Sequence, residues 1–473
     1  MKRAEELTRE IQESPAGPAV GAFFDLDQTL LAGFSAFSFF RERVTSGRIS
    51  PREMSDSLRG ALSFALGRSG FSGMMAATTA AYRGMAESVL RETGQEVFEK
   101  HLARQIYPEA RALVAAHRAR GHTLAIVSSA TPYQVEPVAE ALGFSHVLCT
   151  RLEVEHGVFT GRVVKPTCWQ EGKLHYASQL AEQEGIELTE SFFYTDSADD
   201  LPLLEAVGRP RPLNPSSQLA GIARDRGWPI RRFTSRGRPS VEAVARTALA
   251  YGSLIPTAWA SVGVALANRS QREGANVLMS AWPDLATALA GIELDVTGEE
   301  HLWEHRPAVF IFNHQSAVDT LLVAKLLRRD FTGIAKQEVR RNPLFGPAFS
   351  FAGVVFIDRA DSARAIEALA PAVKALREGR SIAIAPEGTR SRTKRLGRFK
   401  KGAFHLAMQA GVPIVPIVFE NALDVLPRGA FVLRPANVRA VVLPPIDTSG
   451  WTRESLDAEI EAIRKQYLEV LGD

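Results

Sequence analysis

The sequence predicts an α/β protein of two successive domains, and three observations carry that prediction. Short apolar runs alternate with stretches of helical periodicity twice along the chain, once before about residue 232 and again from residue 291 onward. A basic, turn-rich segment, Arg231 to Pro239 (RRFTSRGRP), separates the two stretches. The 473 residues also exceed the roughly 100–200 that one domain usually holds.

Residues 1–19 are charged and lack the apolar core of a secretory signal, so they read as the tail of a protein that stays in the cytoplasm. Residues 20–31 (VGAFFDLDQTLL) set an apolar run directly before acidic residues, the pattern of a buried strand ending at a site. From about residue 32 to 105, Phe and Leu at three-to-four spacing predict a helical cap. Two further strands, Thr123 to Val127 (TLAIV) and Ser191 to Thr195 (SFFYT), end at Ser128 and Asp196. In a parallel sheet ligands bind beyond the carboxyl ends of the strands, where Asp25, Ser128 and Asp196 would meet. This first domain spans residues 20–232.

Asp25 and Asp27 stand two residues apart just past the first strand. One carboxylate can attack a phosphoryl centre, while the other protonates the leaving oxygen and later activates water. Their charges would repel a phosphate unless a cation neutralised them, and Asp196 and Asp200 add the hard oxygen ligands that magnesium needs. Ser128, just before the start of a helix, can donate to phosphate oxygens, and Lys173 adds positive charge. This ordered set resembles the haloacid dehalogenase superfamily, in its phosphoserine-phosphatase-like branch, over about residues 20–230. The resemblance implies a Rossmann-like core with a helical cap and a bound Mg2+. It implies Asp25 as nucleophile, Asp27 as acid/base, Ser128 and Lys173 on phosphate, and Asp25, Asp27, Asp196 and Asp200 around the metal. Asp199 stands where relatives often have Asn. Phe34 replaces the Glu that grips the amino group of phosphoserine, and Phe34, Phe37, Phe39 and Phe40 either pack within the core of the cap or give its entrance an aromatic wall suited to a lipid-like phosphate ester.

Residues 233–290 read as a linker with two apolar helical stretches, around 255–267 and 277–290, flanking the polar tract NRSQREGAN. They are either core helices or an interfacial hairpin lying on a bilayer. Leu254 to Ala267, the longest apolar stretch, is shorter than the roughly 20 residues of a spanning helix, so no transmembrane helix is expected.

The second domain, residues 291–473, places His314 and Asp319 five positions apart after the strand AVFIF. A neutral His oriented by a carboxylate can take a proton from a hydroxyl as it attacks a thioester. Arg359 comes after the strand GVVFI, and Glu387, Gly388 and Arg390 come after SIAIA. Two arginines can grip one phosphate, glycine lets the backbone approach it, and Glu387 can meet glycerol hydroxyls or orient Arg390. The blocks NHQSAVD, GVVFIDR, PEGTRS and VPIVPIV resemble the glycerol-phosphate acyltransferase family, especially the 1-acyl-glycerol-3-phosphate acyltransferases. That resemblance implies His314 and Asp319 in catalysis and Arg359, Glu387, Gly388 and Arg390 on the acceptor. It also implies lysophosphatidic acid as acceptor, with acyl-coenzyme A or acyl carrier protein as donor.

Arg390, Arg392, Lys394, Arg395, Arg398, Lys400 and Lys401 form a basic run that anionic headgroups or coenzyme A phosphates would attract, and Lys336 and Arg340 add to it. The overall charge of +3 is too mild to imply nucleic acid, and no recognised nucleic-acid fold accompanies the run, so no such partner is expected. Cys149 and Cys168 lack metal-ligand spacing and fit a reducing compartment. The expectation is a bifunctional phospholipid enzyme at the cytoplasmic face of a membrane. Its rivals are an acyltransferase with a silent phosphate-binding regulatory domain, and a membrane-binding scaffold.

Overall fold

The computed structural model describes residues 2–49, 55, 59, 71–233, 235–237, 239–357, 370–391, 395–427 and 429–472. The chain divides into two units, Met1–Arg238 and Pro239–Asp473.

The first unit is built on the strands β1 (Gly21–Phe24), β2 (Thr123–Ser128), β3 (His146–Cys149), β6 (Phe192–Thr195) and β7 (Arg209–Pro212). These five pair in parallel in the order β3-β2-β1-β6-β7. Successive side chains of a strand point to opposite faces. Phe24 accordingly joins the core on one side of the sheet and Phe23 the core on the other. β1 lies between β2 and β6, with Phe24 opposite Ile126 and Tyr194, so Asp25 emerges between the ends of its two neighbours. The sequence reading missed β7, whose Arg-Pro-Arg-Pro is a poor strand pattern; at the sheet edge a proline breaks no ladder it is needed for.

Above the strand ends lie the helices Ser35–Thr45, Phe71–Ala80 and Glu87–Val97 and a hairpin of β4 (Leu152–Glu155) and β5 (Val158–Val163). The middle of the expected cap, around residues 50–70, is outside the described residues apart from Arg59 and Ser55. Phe71 stacks on Trp169 with ring centroids 5.4 Å apart, and the hydroxyls of Ser72 and Thr167 are 2.8 Å apart. The cap thus rests on the loop that leads to Lys173.

The segment read as a tail is instead the helix Lys2–Glu13, whose Ile11 is 1% exposed within the first core. Ala4, Leu7 and Ile11 recur within it at three-to-four spacing, a helical pattern too short to stand out among the charged residues around it. Arg120 and His122 fix the chain just beyond this helix by donating to the carbonyls of Ser14 and Pro15.

Among its described residues the second unit has seven strands: β8 (Ile292–Thr297), β9 (Val309–Phe312), β10 (Phe331–Lys336), β11 (Val355–Ile357), β12 (Ser381–Ile384), β13 (Ile414–Phe419) and β14 (Ala436–Val442). Their order in the sheet is β11-β10-β12-β9-β13-β14-β8. β14 pairs antiparallel with β13 and parallel with β8, so the direction of the sheet reverses between β13 and β14. Phe310 and Phe312 enter one core and Val309 and Ile311 the other.

The expected linker is part of this unit. Ala250, Leu254, Leu278, Trp282, Ala286 and Ala290, from the helices Val241–Gly252, Leu254–Asn268 and Gln271–Ala290, lie in the same core as Phe310. At Gly274 a Cβ atom would stand 2.5 Å from the Ser261 carbonyl oxygen, so only glycine allows these two helices to approach so closely. The rejection of a spanning helix on length also needs correction. Ser253, with helical dihedral angles, joins the helices Val241–Gly252 and Leu254–Asn268 through a one-residue turn, and the 28-residue stretch Val241–Asn268 is long and apolar enough to cross a membrane by length and composition. Pro256 does not end it because it lies in the first turn of the second stretch, where no intrahelical donor is lost.

Burial of Ile11 predicts that Ile11→Ala destabilises the first unit by about 2–4 kcal/mol. Urea unfolding of the full chain, followed by hydrogen exchange in β1 and β2, measures it; an unchanged midpoint would return this segment to the status of a tail.

Two candidate active sites

Lys173 is the hub of the first site. Its ammonium lies 2.6 Å from Asp25 Oδ1 and 2.7 Å from Asp200 Oδ2, and all three residues are buried. Burial opposes the ammonium's charge, but attraction to Asp200 and Asp25 and its hydrogen bonds to both outweigh it and raise the Lys173 pKa. The Thr195 hydroxyl donates to the same Asp200 oxygen. Asp25 is held from behind, its backbone N–H donating to the Tyr194 carbonyl at 2.8 Å.

Asp27 takes two bonds from the start of the cap, from Ser35 N–H at 2.8 Å and the Ser35 hydroxyl at 3.1 Å. Burial pushes its pKa up to about 7, so near neutral pH it exists in both protonated and ionised forms, as an acid/base group must. Burial likewise moves Asp25 to about 6, opposed by Lys173, and Asp196 to about 8, helped by the charge of Asp25. Ser128 is buried at the end of β2, and its hydroxyl accepts from the N–H of Ala130, next to a helix whose N-terminus Thr131 caps with Gln134. Asp199 is exposed and accepts from the Gln170 amide. Ser35 and Thr195 are contributors the sequence reading missed, because a lone hydroxyl carries no periodic or charge signal.

Four carboxylates, Asp25, Asp27, Asp196 and Asp200, thus share one ammonium, and three of them have raised pKa values. That is the environment of a missing positive charge, and hard oxygen donors suit a divalent cation such as magnesium. Asp25, with one oxygen engaged by Lys173, and Asp196, which accepts no bond from another side chain among the described residues, are the carboxylates placed to meet it. Among the described residues no three His, Cys, Asp or Glu side chains already converge as a ligand shell.

In the second site the Asp319 carboxylate, fully buried, accepts from His314 Nδ1 at 2.9 Å and from the Ser316 N–H at 2.8 Å. That bond leaves Nε2 of a neutral imidazole as a proton acceptor. The base of the loop is pinned to β13 by Asn313, whose amide bonds both the N–H and the carbonyl of Phe419 at 2.8 Å. Glu387 has a role the sequence did not suggest. Its two oxygens accept backbone N–H groups of His314 at 2.7 Å and Gly397 at 2.9 Å, and Ser391 N–H returns a bond to the His314 carbonyl at 2.7 Å. The Pro-Glu-Gly-Thr-Arg turn is therefore buttoned to the backbone on both sides of the base. Burial raises the Glu387 pKa.

Gly388 has φ +71°, which favours glycine, and Arg390 is exposed beyond it. Arg359 lies outside the described residues. An apolar cavity lined by Met279, Trp282, Phe312, Val323, Ile334 and Phe349 opens beside the dyad; the rings of Phe312 and His314 meet edge to face, 6.0 Å apart.

Two family models match the chain: haloacid dehalogenase-like hydrolase over residues 22–205 and acyltransferase over residues 293–420. A Mycobacterium tuberculosis protein described as a "probable phosphatase" is 34% identical over 250 residues, 50% of this chain and 87% of that protein. A 1-acyl-sn-glycerol-3-phosphate acyltransferase from Cocos nucifera is 32% identical over 211 residues, 42% of this chain and 68% of its own length. The chain belongs to both families. Its first unit carries the haloacid dehalogenase-like domain and its second the acyltransferase domain. A 1-acyl-sn-glycerol-3-phosphate acyltransferase from Limnanthes douglasii is 37% identical over 179 residues, 38% of this chain, and the chain spans 63% of that relative's length.

The carboxylates of the haloacid dehalogenase-like domain imply a pH dependence of stability. A carboxyl whose pKa is raised by folding binds its proton more tightly in the fold, so its contribution is complete below the ordinary carboxylate range and is lost as pH rises through the folded value. With divalent ions chelated, this contribution falls from about pH 4 and levels off above about pH 8, the folded values being about 6 for Asp25, about 7 for Asp27 and about 8 for Asp196. Asp196→Asn removes the larger share of the slope. Urea unfolding at a series of pH values reads it, and an identical slope in the variant would contradict this electrostatic account.

Proposed function

We propose that the chain is a bifunctional phospholipid-biosynthesis enzyme. The acyltransferase domain converts lysophosphatidic acid to phosphatidic acid with an acyl thioester, acyl-coenzyme A or acyl carrier protein, as donor. The other domain is a magnesium-dependent phosphomonoester hydrolase that works through an aspartyl-phosphate. The observation that carries the reading is the His314–Asp319 bond of 2.9 Å beside a turn bearing Gly388 and Arg390 and hydrogen-bonded to the His314 backbone.

In acyl transfer, His314 Nε2 takes the proton of the acceptor's free hydroxyl as that oxygen attacks the thioester carbonyl. Collapse of the tetrahedral adduct expels the thiolate, which recovers the proton from the imidazolium. Asp319 stabilises that imidazolium, and Arg390 with Arg359 would hold the acceptor phosphate. The cavity beside Phe312 suits an acyl chain.

In the hydrolase domain, the Asp25 carboxylate attacks phosphorus and Asp27 gives its proton to the departing oxygen. Asp27 then takes a proton from water as the water attacks the phosphoaspartate, releasing phosphate and restoring Asp25. Lys173 orients Asp25 and balances its charge, and Ser128 would bind a phosphate oxygen. Magnesium, when bound at Asp25 and Asp196 with Asp27 and Asp200 close by, supplies the positive charge that lets an anionic ester approach these carboxylates. Phe39 is packed in the core, but Phe34 and Phe37 are exposed on the cap, which favours a lipid phosphate as substrate.

The site of action would be the cytoplasmic membrane surface. Ile255, Trp259 and Leu266 lie at positions i, i+4 and i+11 of one helix, and Trp259 and Leu266 are 73% and 74% exposed. Such an apolar face with an aromatic suits insertion at the headgroup boundary. Flotation with vesicles of phosphatidylcholine and phosphatidylglycerol checks this: Trp259→Ser with Leu266→Ser should lower the bound fraction several-fold, and equal flotation would argue against this face.

The two activities are separable. Purified full chain, given lysophosphatidic acid, acyl-coenzyme A and magnesium, should form phosphatidic acid and release phosphate. His314→Ala should lower acylation by about 10²–10⁴-fold and spare phosphate release; Asp25→Asn should do the reverse. Acylation that survives in His314→Ala would refute the assigned base, and phosphate release that survives in Asp25→Asn would refute the nucleophile.

A further inference from the structure

The basic run after the Pro-Glu-Gly-Thr-Arg turn contains two adjacent lysines that the structure treats differently. Lys401 is paired with Asp457, its Nζ 2.7 Å from Oδ1 and 2.9 Å from Oδ2. Lys400 makes no ion pair among the described residues, although it is exposed and free to extend into water. It instead folds back over the turn: a methyl group at Gly388 would stand 3.0 Å from Lys400 Nζ and 3.2 Å from its Cδ and Cε.

The position of Lys400 is set by its neighbours. Its backbone N–H donates to the Pro386 carbonyl at 2.9 Å. Phe399 is buried against the rings of Phe404 and Tyr467, with centroids 6.2 and 5.2 Å away, so the adjacent side chain turns outward. Gly397, three residues earlier, is tied to Glu387. Glu387 is the obvious nearby counter-charge, but both its oxygens are occupied by the backbone N–H groups of His314 and Gly397. With its stem over Gly388 and no carboxylate paired to it among the described residues, the ammonium is left available to an anion. An ammonium placed over a glycine turn, beside the backbone of the base, is arranged for an anion that arrives with the substrate.

We infer that Lys400 is an acceptor-binding residue, its ammonium meeting the phosphate of the glycerol-phosphate acceptor over Gly388, on the same turn as Arg390. The inference rests on the acyltransferase reading above and adds to it a cation outside the four sequence blocks. Gly388 then has a second use: its missing side chain leaves room for the lysine stem as well as for the backbone conformation.

The test compares Lys400→Met, Lys400→Arg and Lys401→Met in the full chain, each first checked for an unchanged melting profile. Initial rates are measured with lysophosphatidic acid and acyl-coenzyme A varied separately. Lys400→Met should raise the KM for lysophosphatidic acid by about tenfold, the scale of one charge-assisted hydrogen bond, and leave kcat and the KM for acyl-coenzyme A within about twofold. Lys400→Arg should recover most of the loss, and Lys401→Met should match the parent. An unchanged acceptor KM in Lys400→Met, or a shift in the acyl-coenzyme A KM instead, overturns the inference.

If the parent chain does not acylate lysophosphatidic acid, the proposed reaction fails, and a second measurement decides the anion site by itself. Acetylation of lysines by an amine-reactive reagent, read by mass spectrometry, should be slowed at Lys400 by glycerol 3-phosphate and unaffected at Lys401. Equal labelling of Lys400 with and without glycerol 3-phosphate would then exclude the site.

Discussion

A parallel strand leaves its carboxyl end beside the carboxyl ends of its neighbours, and in both units this pairing gathers distant residues into one place. β1 between β2 and β6 brings Asp25 next to Ser128 and Asp196, which are more than a hundred residues away along the chain. β9 between β12 and β13 does the same for His314, the Glu387 turn and Phe419. Strand direction comes first, and the hydrogen bonds of each site then refine positions already close. The helices that return the chain cover both faces of each sheet and keep the strand interiors apolar.

The two sites solve opposite electrostatic problems. In the first, several carboxylates crowd one buried lysine, and burial makes their ionisation costly. In the second, buried Asp319 steadies the half-buried His314 imidazole, buried Glu387 holds the backbone beside it, and positive charge is supplied from a surface turn. The first arrangement calls for added positive charge before an anion can enter. The second already presents cations to an anion.

The parallel strands that carry chemistry were the legible part of the sequence. VGAFF, TLAIV and AVFIF are short apolar runs that end at polar residues, and a strand buried on both faces has to look like that. Asp25, Lys173, Asp200, His314 and Asp319 could be picked out because charged residues at such junctions need a reason to be there. The edges were less legible. β7 contains two prolines, β14 runs against its neighbour β13, and the β4–β5 hairpin alternates too briefly to stand out. The helix Lys2–Glu13 carries a short apolar pattern among many charges, and the stretch through Ser253 was cut short because composition was read without backbone continuity. Glu387 illustrates a further limit: sequence shows which carboxylate sits at a strand end, but not whether substrate or backbone N–H groups will occupy it.

Glu387 and its partners also separate what holds the base from what faces water. The segment leaves the turn at Ser391 and returns at Gly397 and Lys400, and each of these three points is secured through its backbone N–H. Those three anchors are main-chain bonds, and Leu396 is buried in the core between them, while Arg398 is exposed, so the Arg398 side chain can change while the geometry around His314 stays the same. Surface charge beside the acceptor turn can therefore be tuned without moving the base, because what holds the base is backbone and what faces water is side chain.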